Sequence, residues 1–440
     1  MNDNLKKWLP WIAVAAVAVI VIVIIAVSGG DDDTAGATTI PGGDTTTTAA
    51  GDTTTTTESG DTTVPVEPPM APALSLGYIL PESGQLAFLG PPMIETVKMA
   101  VDLANEAGAD VTLTAGDTAG DAAVAQQTAQ REIGEGVNAI VGAAASGMSL
   151  AIIDSVTGAG VLMCSPSNTA PTFTNYADNG LYFRTAPSDA LQGPILAKVI
   201  EATGATSVAI VARADDYGQG LAQALADSLE GVEVLYNETY DPAATNYDAE
   251  VNAMIATNAD AYALVSFEEG AQIIAGLLEG GVSPTAIFGT DGTASGDLWE
   301  AVDPNNPAVI EGMRGTRPGG TASEDFLALF KATTGLEDTT FAAQAYDCTN
   351  LILLSALAAN SANGADIAAK MIEVSSGGTP CSSYAECADL LAAGEDIDYV
   401  GASGSADLDD NGEPASAEYE VWEVGADGSL TVIDTMTSGL

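Results

Sequence analysis

The chain has 440 residues, more than one typical hydrophobic core, which predicts two lobes with additional segments. Its formal net charge is -50 although only 16% of residues are charged, so the imbalance reflects scarce bases, 11 Lys and Arg in all. Such a surface argues against nucleic acid or anionic lipid as partner. The absence of His removes every Ser/His or Cys/His dyad and the commonest metal ligand.

Residues 8–27 are uncharged and mostly Ala, Val and Ile, and as a helix they would span ~30 Å, one bilayer core. Lys6 and Lys7 precede them and Asp31, Asp32 and Asp33 follow, which places the bulk of the chain outside. The expectation is a cytosolic stretch at 1–7 and a single-pass cell-membrane anchor at 8–27, with the remainder extracytoplasmic. A cleaved signal peptide is the alternative, because Ala26-Val27-Ser28 resembles a small-x-small site. A lipid anchor is excluded, since the first Cys is Cys164. Residues 28–73 are Thr, Gly, Asp and Pro with threonine tracts at 45–48 and 53–57, the composition of a linker or stalk. As a coil it would reach roughly 40 Å.

From Leu74 onward strand and helix patterns alternate. Leu74–Leu80 reads as a strand, 92–107 as a helix, 111–115 as a strand, and 122–134 as a helix capped by Asp121. Two apolar strands, 139–144 and 161–164, follow with a helix between them. Near 182–188 the pattern passes to a second unit. There strands at 208–211, 232–236, 262–267 and 286–289 alternate with helices such as 218–229 and 268–278. Helices at 323–333 and 341–360 resemble first-unit material, and 419–424 with 430–436 alternate apolar and polar residues as a hairpin does. The expected class is α/β, with two doubly wound parallel-sheet lobes joined by a multi-strand hinge. Lobe 1 takes 74–187 and 318–400, lobe 2 takes 188–317 and 401–440, and a cleft divides them.

The strands at 139–144 and 161–164 spill directly into hydroxyl residues, Ser146 after the first and Ser165, Ser167 and Thr169 after the second. In an open parallel sheet ligands bind beyond the carboxyl ends of strands, where loops and helix N-termini offer unpaired donors. Hydroxyls there suit a carboxylate, against the plainer reading of helix caps. Asp291, in IFGTDG, ends an apolar strand of the second unit, where its carboxylate would meet an ammonium; the plainer reading is a cap or a turn acid. Tyr217 stands at a strand-to-helix loop where an aromatic ring can line a cleft, and Phe267 and Phe341 lie near helix starts.

Gly218-x-Gly220 matches the first part of a dinucleotide fingerprint. However, Gln223 occupies the third glycine position, the glycines begin well after the strand ends, and Asp215 and Asp216 would face the pyrophosphate. No cofactor is expected. Asp407-x-Asp409-x-Asn411-Gly412 with Glu418 matches a twelve-residue calcium loop, but strand-like flanks, Pro414 and the Asp410-Asn411-Gly412 turn favour a hairpin turn. Cys381 and Cys387 stand close enough to bridge in an oxidising compartment, while Cys164 and Cys348 are either a second bridge or buried thiols. Without CxxC or a Walker motif, zinc clusters and NTP hydrolysis have no support.

In their order and spacing, the segments GYILPESGQLAFLG, GAAASGMS, CSPSNTAP, YFRTAPSD, DDYGQGLA, FGTDG, FAAQAYD and IDYVGASGSADLDDNGEP resemble the substrate-binding proteins of branched-chain amino-acid ABC transporters. The resemblance covers Leu74 to the end. It implies a type I periplasmic-binding fold, and a protein that is not an enzyme but closes two lobes on an amino acid and hands it to permease and ATPase subunits. By that resemblance the ligand carboxylate would meet Ser146, Thr169 and the backbone of Ser167, and the ammonium would meet Asp291. Tyr217, Phe267, Phe341 and Leu89 would surround the side chain, with Asn168 as a polar member of the same site. The chain departs from the family in its anchor and Thr-rich stalk, in Asn168, and in Asp291 where relatives often have Glu. A ligand-sensing or adhesive ectodomain of the same fold is the alternative function.

Overall fold

The computed structural model describes residues 72–319 and 322–439. The anchor expected at 8–27 and the linker at 28–73 lie outside them. Among the described residues no single helix is long and apolar enough to cross a membrane.

Lobe 1 is built on five parallel strands: β1 (Leu74–Leu80), β2 (Val111–Asp117), β3 (Ala139–Gly142), β4 (Leu162–Ser165) and β5 (Tyr182–Arg184), in the order β2-β1-β3-β4-β5. Between them run α1 (Gly90–Glu106), α2 (Ala122–Glu135) and α3 (Ser146–Gly158). β3 and β4 are buried along their whole length, as continuous apolar strands covered on both faces should be. α1 buries Met93, Val97, Ala100, Val101 and Ala104 on one face, with Leu103 only partly covered. Asp121 caps α2 by accepting from the Ala123 and Val124 amides, and Gly136 ends it in the left-handed region at φ 85°.

Lobe 2 holds α4 (Asp189–Glu201), β6 (Ser207–Arg213), α5 (Asp216–Ser228), β7 (Glu233–Tyr240), α6 (Asp248–Ala256), β8 (Ala261–Val265), α7 (Gly270–Glu279), β9 (Ile287–Gly289), α8 (Leu298–Val302) and β10 (Arg314–Pro318). The chain then returns to lobe 1 for α9 (Glu324–Thr334), α10 (Ala342–Ala359), α11 (Gly364–Ser375), β11 (Thr379–Cys381), α12 (Tyr384–Ala392), β12 (Ile397–Gly401) and β13 (Gly404–Ser405). It ends with β14 (Ser416–Val424) and β15 (Leu430–Gly439), which extend the lobe 2 sheet to β15-β14-β10-β9-β8-β6-β7. That sheet is mixed rather than parallel throughout: β14 runs antiparallel to β10 and to β15. The hairpin read from the tail supplies these two strands.

Three crossings join the lobes, at 185–188, after Pro318, and near 415. The last lies later than the boundary expected at 401. Asp347 on α10 accepts from the Ala402 and Ser403 amides, and Glu413 is buried in an ion pair with Arg184 of β5, so 401–414 stay on lobe 1. The loop around Asp409 folds as the turn read from its sequence. The Gly412 amide donates to the Asp409 carbonyl, the Asn411 and Glu413 amides donate to Asp409 Oδ1, and Glu418 lies in β14 opposite Thr437. A disulfide joins Cys381 to Cys387, and another, left open by the sequence, joins Cys164 of β4 to Cys348 of α10 with Cα atoms 5.9 Å apart.

The lobes are closed on each other. Phe88 of lobe 1 meets Phe267 of lobe 2 edge to face at 6.4 Å. Gly220 of α5 lies so near Pro171 that a Cβ there would come within 2.6 Å of Pro171 Cδ.

Candidate functional site

Two walls of opposite character face each other across a narrow cavity of about 10 Å3, room for about one water molecule. The lobe 1 wall is made where β3 and β4 end. Ser165, fully buried, donates to the Ala143 carbonyl at 2.8 Å and accepts from the Ser167 and Asn168 amides, which folds the loop after β4 back against the loop after β3. Ser146 begins α3, lines the cavity and accepts from the Ala170 amide at 3.4 Å, leaving its own proton free to donate. Thr169 lines the cavity beside it. The Ser167 hydroxyl is buried without any hydrogen-bond partner, the arrangement expected of a donor that awaits a ligand. With the N-terminus of α3 behind them, these hydroxyls form a site for an anion.

The same loop is braced from behind. Arg184 donates to the Asn168 and Ala170 carbonyls at 3.2 and 2.9 Å while its Nε pairs with Glu413 at 2.7 Å. Asn168 does not join the wall. Its amide donates to the Tyr182 hydroxyl at 3.0 Å, which turns the side chain into lobe 1, and it is absent from the cavity lining. Asn168, expected in the site, thus stands apart from the cavity lining; its Nδ2 is satisfied by Tyr182, while its buried Oδ1 has no partner.

The lobe 2 wall centres on Asp291, in a short turn after β9 that Thr290 and Thr293 close by mutual capping. Tyr217 donates to Asp291 Oδ1 at 2.9 Å and Gln192 donates to the same oxygen at 3.1 Å. Burial raises the Asp291 carboxyl to about 6, while these two hydrogen bonds pull it back. An ammonium would complete its solvation. Between the walls lie Leu89, Phe341, and the stacked rings of Tyr217 and Phe267, whose centroids are 5.1 Å apart. Arg213 lies over the outer face of Phe267 at 4.0 Å and is paired with Asp215 and Glu269, so the aromatic wall is clamped in place.

The structure thus brings together Ser146, Ser167, Thr169, Tyr217, Phe267, Asp291, Phe341 and Leu89 from separate parts of the chain. Sequence reasoning missed Gln192, Asp189 and Arg213. Gln192 and Asp189 sit on α4, whose internal Gly193-Pro194 hides a helix from pattern reading. A larger void, about 250 Å3, lies among the crossings, lined by Thr185, Pro187, Pro318 and Ser416. It is the space behind the hinge and lacks the opposed walls.

Two α/β lobes closed on a small polar-ended cavity define a solute-binding protein of the clamping class. A family profile described as periplasmic binding protein matches residues 73–386. A Leu/Ile/Val-binding protein of Rhizobium johnstonii is 28% identical over 52% of this chain and 65% of its own length, so the chain spans slightly under two thirds of that relative. A chemotactic signal transduction system substrate-binding protein of Halobacterium salinarum is 27% identical over 83% of this chain and 90% of its own. Among solved structures, a branched-chain amino acid transporter substrate-binding protein of Streptococcus pneumoniae, in complex with isoleucine, shares the fold with a TM-score of 0.69, 23% identity, and coverage of 84% and 100%. The chain belongs to the periplasmic binding protein family, among the relatives of the Leu/Ile/Val-binding type, and is a binding protein rather than an enzyme.

Proposed function

We infer that the protein captures an amino acid, branched-chain or a related small zwitterion or amide, in the interlobe cavity and delivers it to the permease and ATPase subunits of an ABC importer. The observation that carries this reading is the opposition of an unpartnered Ser167 hydroxyl, with Ser146 and Thr169, to the buried Asp291 carboxylate. Hydroxyls and a helix N-terminus suit a carboxylate, and Asp291 suits an ammonium; the apolar rings between them suit an aliphatic side chain. The domain would work outside the cytoplasm, tethered by residues 8–27.

The test is Asp291→Ala. It should weaken binding of isoleucine far more than binding of 3-methylpentanoic acid, which keeps the carboxylate and lacks the amine. Equal losses for both would remove Asp291 from this role. The Halobacterium relative, a substrate-binding protein of a chemotactic system, favours a second reading, in which the same capture reports solute to a signalling partner. Deletion of the gene should abolish uptake of labelled isoleucine under the first reading, and only the behavioural response to isoleucine under the second.

A further inference from the structure

Asp189, the first residue of α4, is fully buried, and neither of its carboxyl oxygens has a hydrogen-bond partner. The Oε1 of Gln192, one turn along the helix, is equally buried and unpartnered, while Gln192 Nε2 reaches Asp291 Oδ1. Three buried oxygens without a donor therefore lie within one turn of α4, and the amide of that same Gln192 holds Asp291, whose charge reaches Asp189. The Asp189 amide donates to the Thr169 carbonyl at 2.7 Å, so this cluster touches the donor wall and the acid wall at once.

The surroundings do little to relieve it. Asp291 and Asp215 add negative charge from the turn after β9 and the start of α5, and Arg184 on β5 opposes them. The Thr169 hydroxyl is near enough to favour the carboxylate but makes no hydrogen bond to it in good geometry. The Tyr217 and Tyr419 hydroxyls face the same acids, Tyr419 being engaged with the Ser188 carbonyl at 3.2 Å and lying also within the fields of Arg184 and Glu413. Burial first, and the Asp291 charge second, raise the Asp189 carboxyl well above the carboxylate range.

We propose that Asp189 and Asp291 form one acid pair that retains a proton when the cleft is empty and releases it when a ligand ammonium arrives, so that solute capture is coupled to proton release. This rests on the reading of Asp291 as the ammonium partner. Two ionised carboxylates cannot share so small a desolvated space, and an incoming cation removes the reason for the retained proton. The sign follows: ligand stabilises the deprotonated pair, so affinity is fullest at higher pH and declines as pH falls.

The experiment has two arms. In the first, carboxyl 13C resonances of the ligand-free protein are titrated from pH 4 to 9. Asp189 should titrate above the ordinary carboxyls, its assignment given by loss of the signal in Asp189→Asn. An Asp189 that titrates with the ordinary carboxyls overturns the pair, whatever the protein binds. In the second, isoleucine is bound calorimetrically at pH 7 in phosphate and in Tris, whose ionisation heats differ. The wild type should release about one proton per ligand and Asp189→Asn less than half of that. Binding heat independent of buffer overturns the coupling while leaving the amino-acid reading standing. Absence of binding by isoleucine, leucine and valine overturns that reading and the coupling with it, and the first arm still decides the pair.

Discussion

Glu132 on α2 is fully buried behind the lobe 1 sheet, where Gly77 and Gly116 make room for it; a Cβ on either would come within 2.2 or 2.3 Å of its carboxyl oxygens. Its Oε2 has no partner and Oε1 meets only Arg131 at 3.4 Å. Burial, which the Arg131 charge only partly offsets, raises the carboxyl from 4.5 to about 8. The folded state therefore keeps a proton that the unfolded chain gives up. Its contribution is fully present below pH 4.5 and is lost as pH rises through about 8. At 1.36 kcal/mol per unit that shift amounts to roughly 5 kcal/mol over the window. Glu132→Gln, which cannot ionise, should lose this dependence. Urea unfolding of both proteins from pH 4.5 to 8.5 at fixed ionic strength measures it. The variant should gain on the wild type by about 1.4 kcal/mol per pH unit in mid-window, to a total near ~5 kcal/mol. Parallel curves would refute the reasoning.

Arg184→Ala leaves Glu413 buried and unpaired and should cost about 3–5 kcal/mol in urea unfolding, with part of the loss recovered in the double variant with Glu413→Ala. Removing the Cys164–Cys348 bridge, which closes a loop of 184 residues, should cost up to ~5 kcal/mol by the same assay, whereas loss of the six-residue Cys381–Cys387 loop should cost less. Phe267→Ala removes the partner of both Tyr217 and Arg213 and should weaken isoleucine binding roughly 10- to 100-fold by calorimetry, a burial loss of about 1.5–3 kcal/mol. A change below twofold would show that this ring is not part of the pocket.

The alternation of strands and helices was legible because apolar runs of period 2 and stripes of period 3.6 leave separate marks. The strand ends at Ser146, Ser167, Thr169 and Asp291 were legible for the same reason. What escaped depended on tertiary demands. Helix α4 carries Gly193 and Pro194, which read as breakers. Gly193 is there because α5 packs so close that a Cβ would sit 2.5 Å from the Ala224 backbone. β11 and β13, of three and two residues, are too short for a period to show. Pattern alone assigns 401–414 to the wrong lobe, since nothing local tells that Glu413 answers Arg184, 229 residues away. Asp189 reads as an ordinary acid in the first turn of a helix; only the approach of Asp291, in the turn after β9, makes it unusual. The pairing of Cys164 with Cys348 likewise needs the fold before it has a reason.

Calorimetry of the wild type with three molecules of like shape bears most directly on the opposed walls: isoleucine, 3-methylpentanoic acid, which lacks the amine, and 2-methylbutylamine, which lacks the carboxylate. Loss of either charged contact should cost at least ~3 kcal/mol, so both single-ended analogues should bind more than 100-fold more weakly than the amino acid. Comparable affinity for either analogue would contradict the grip on both ends of the solute.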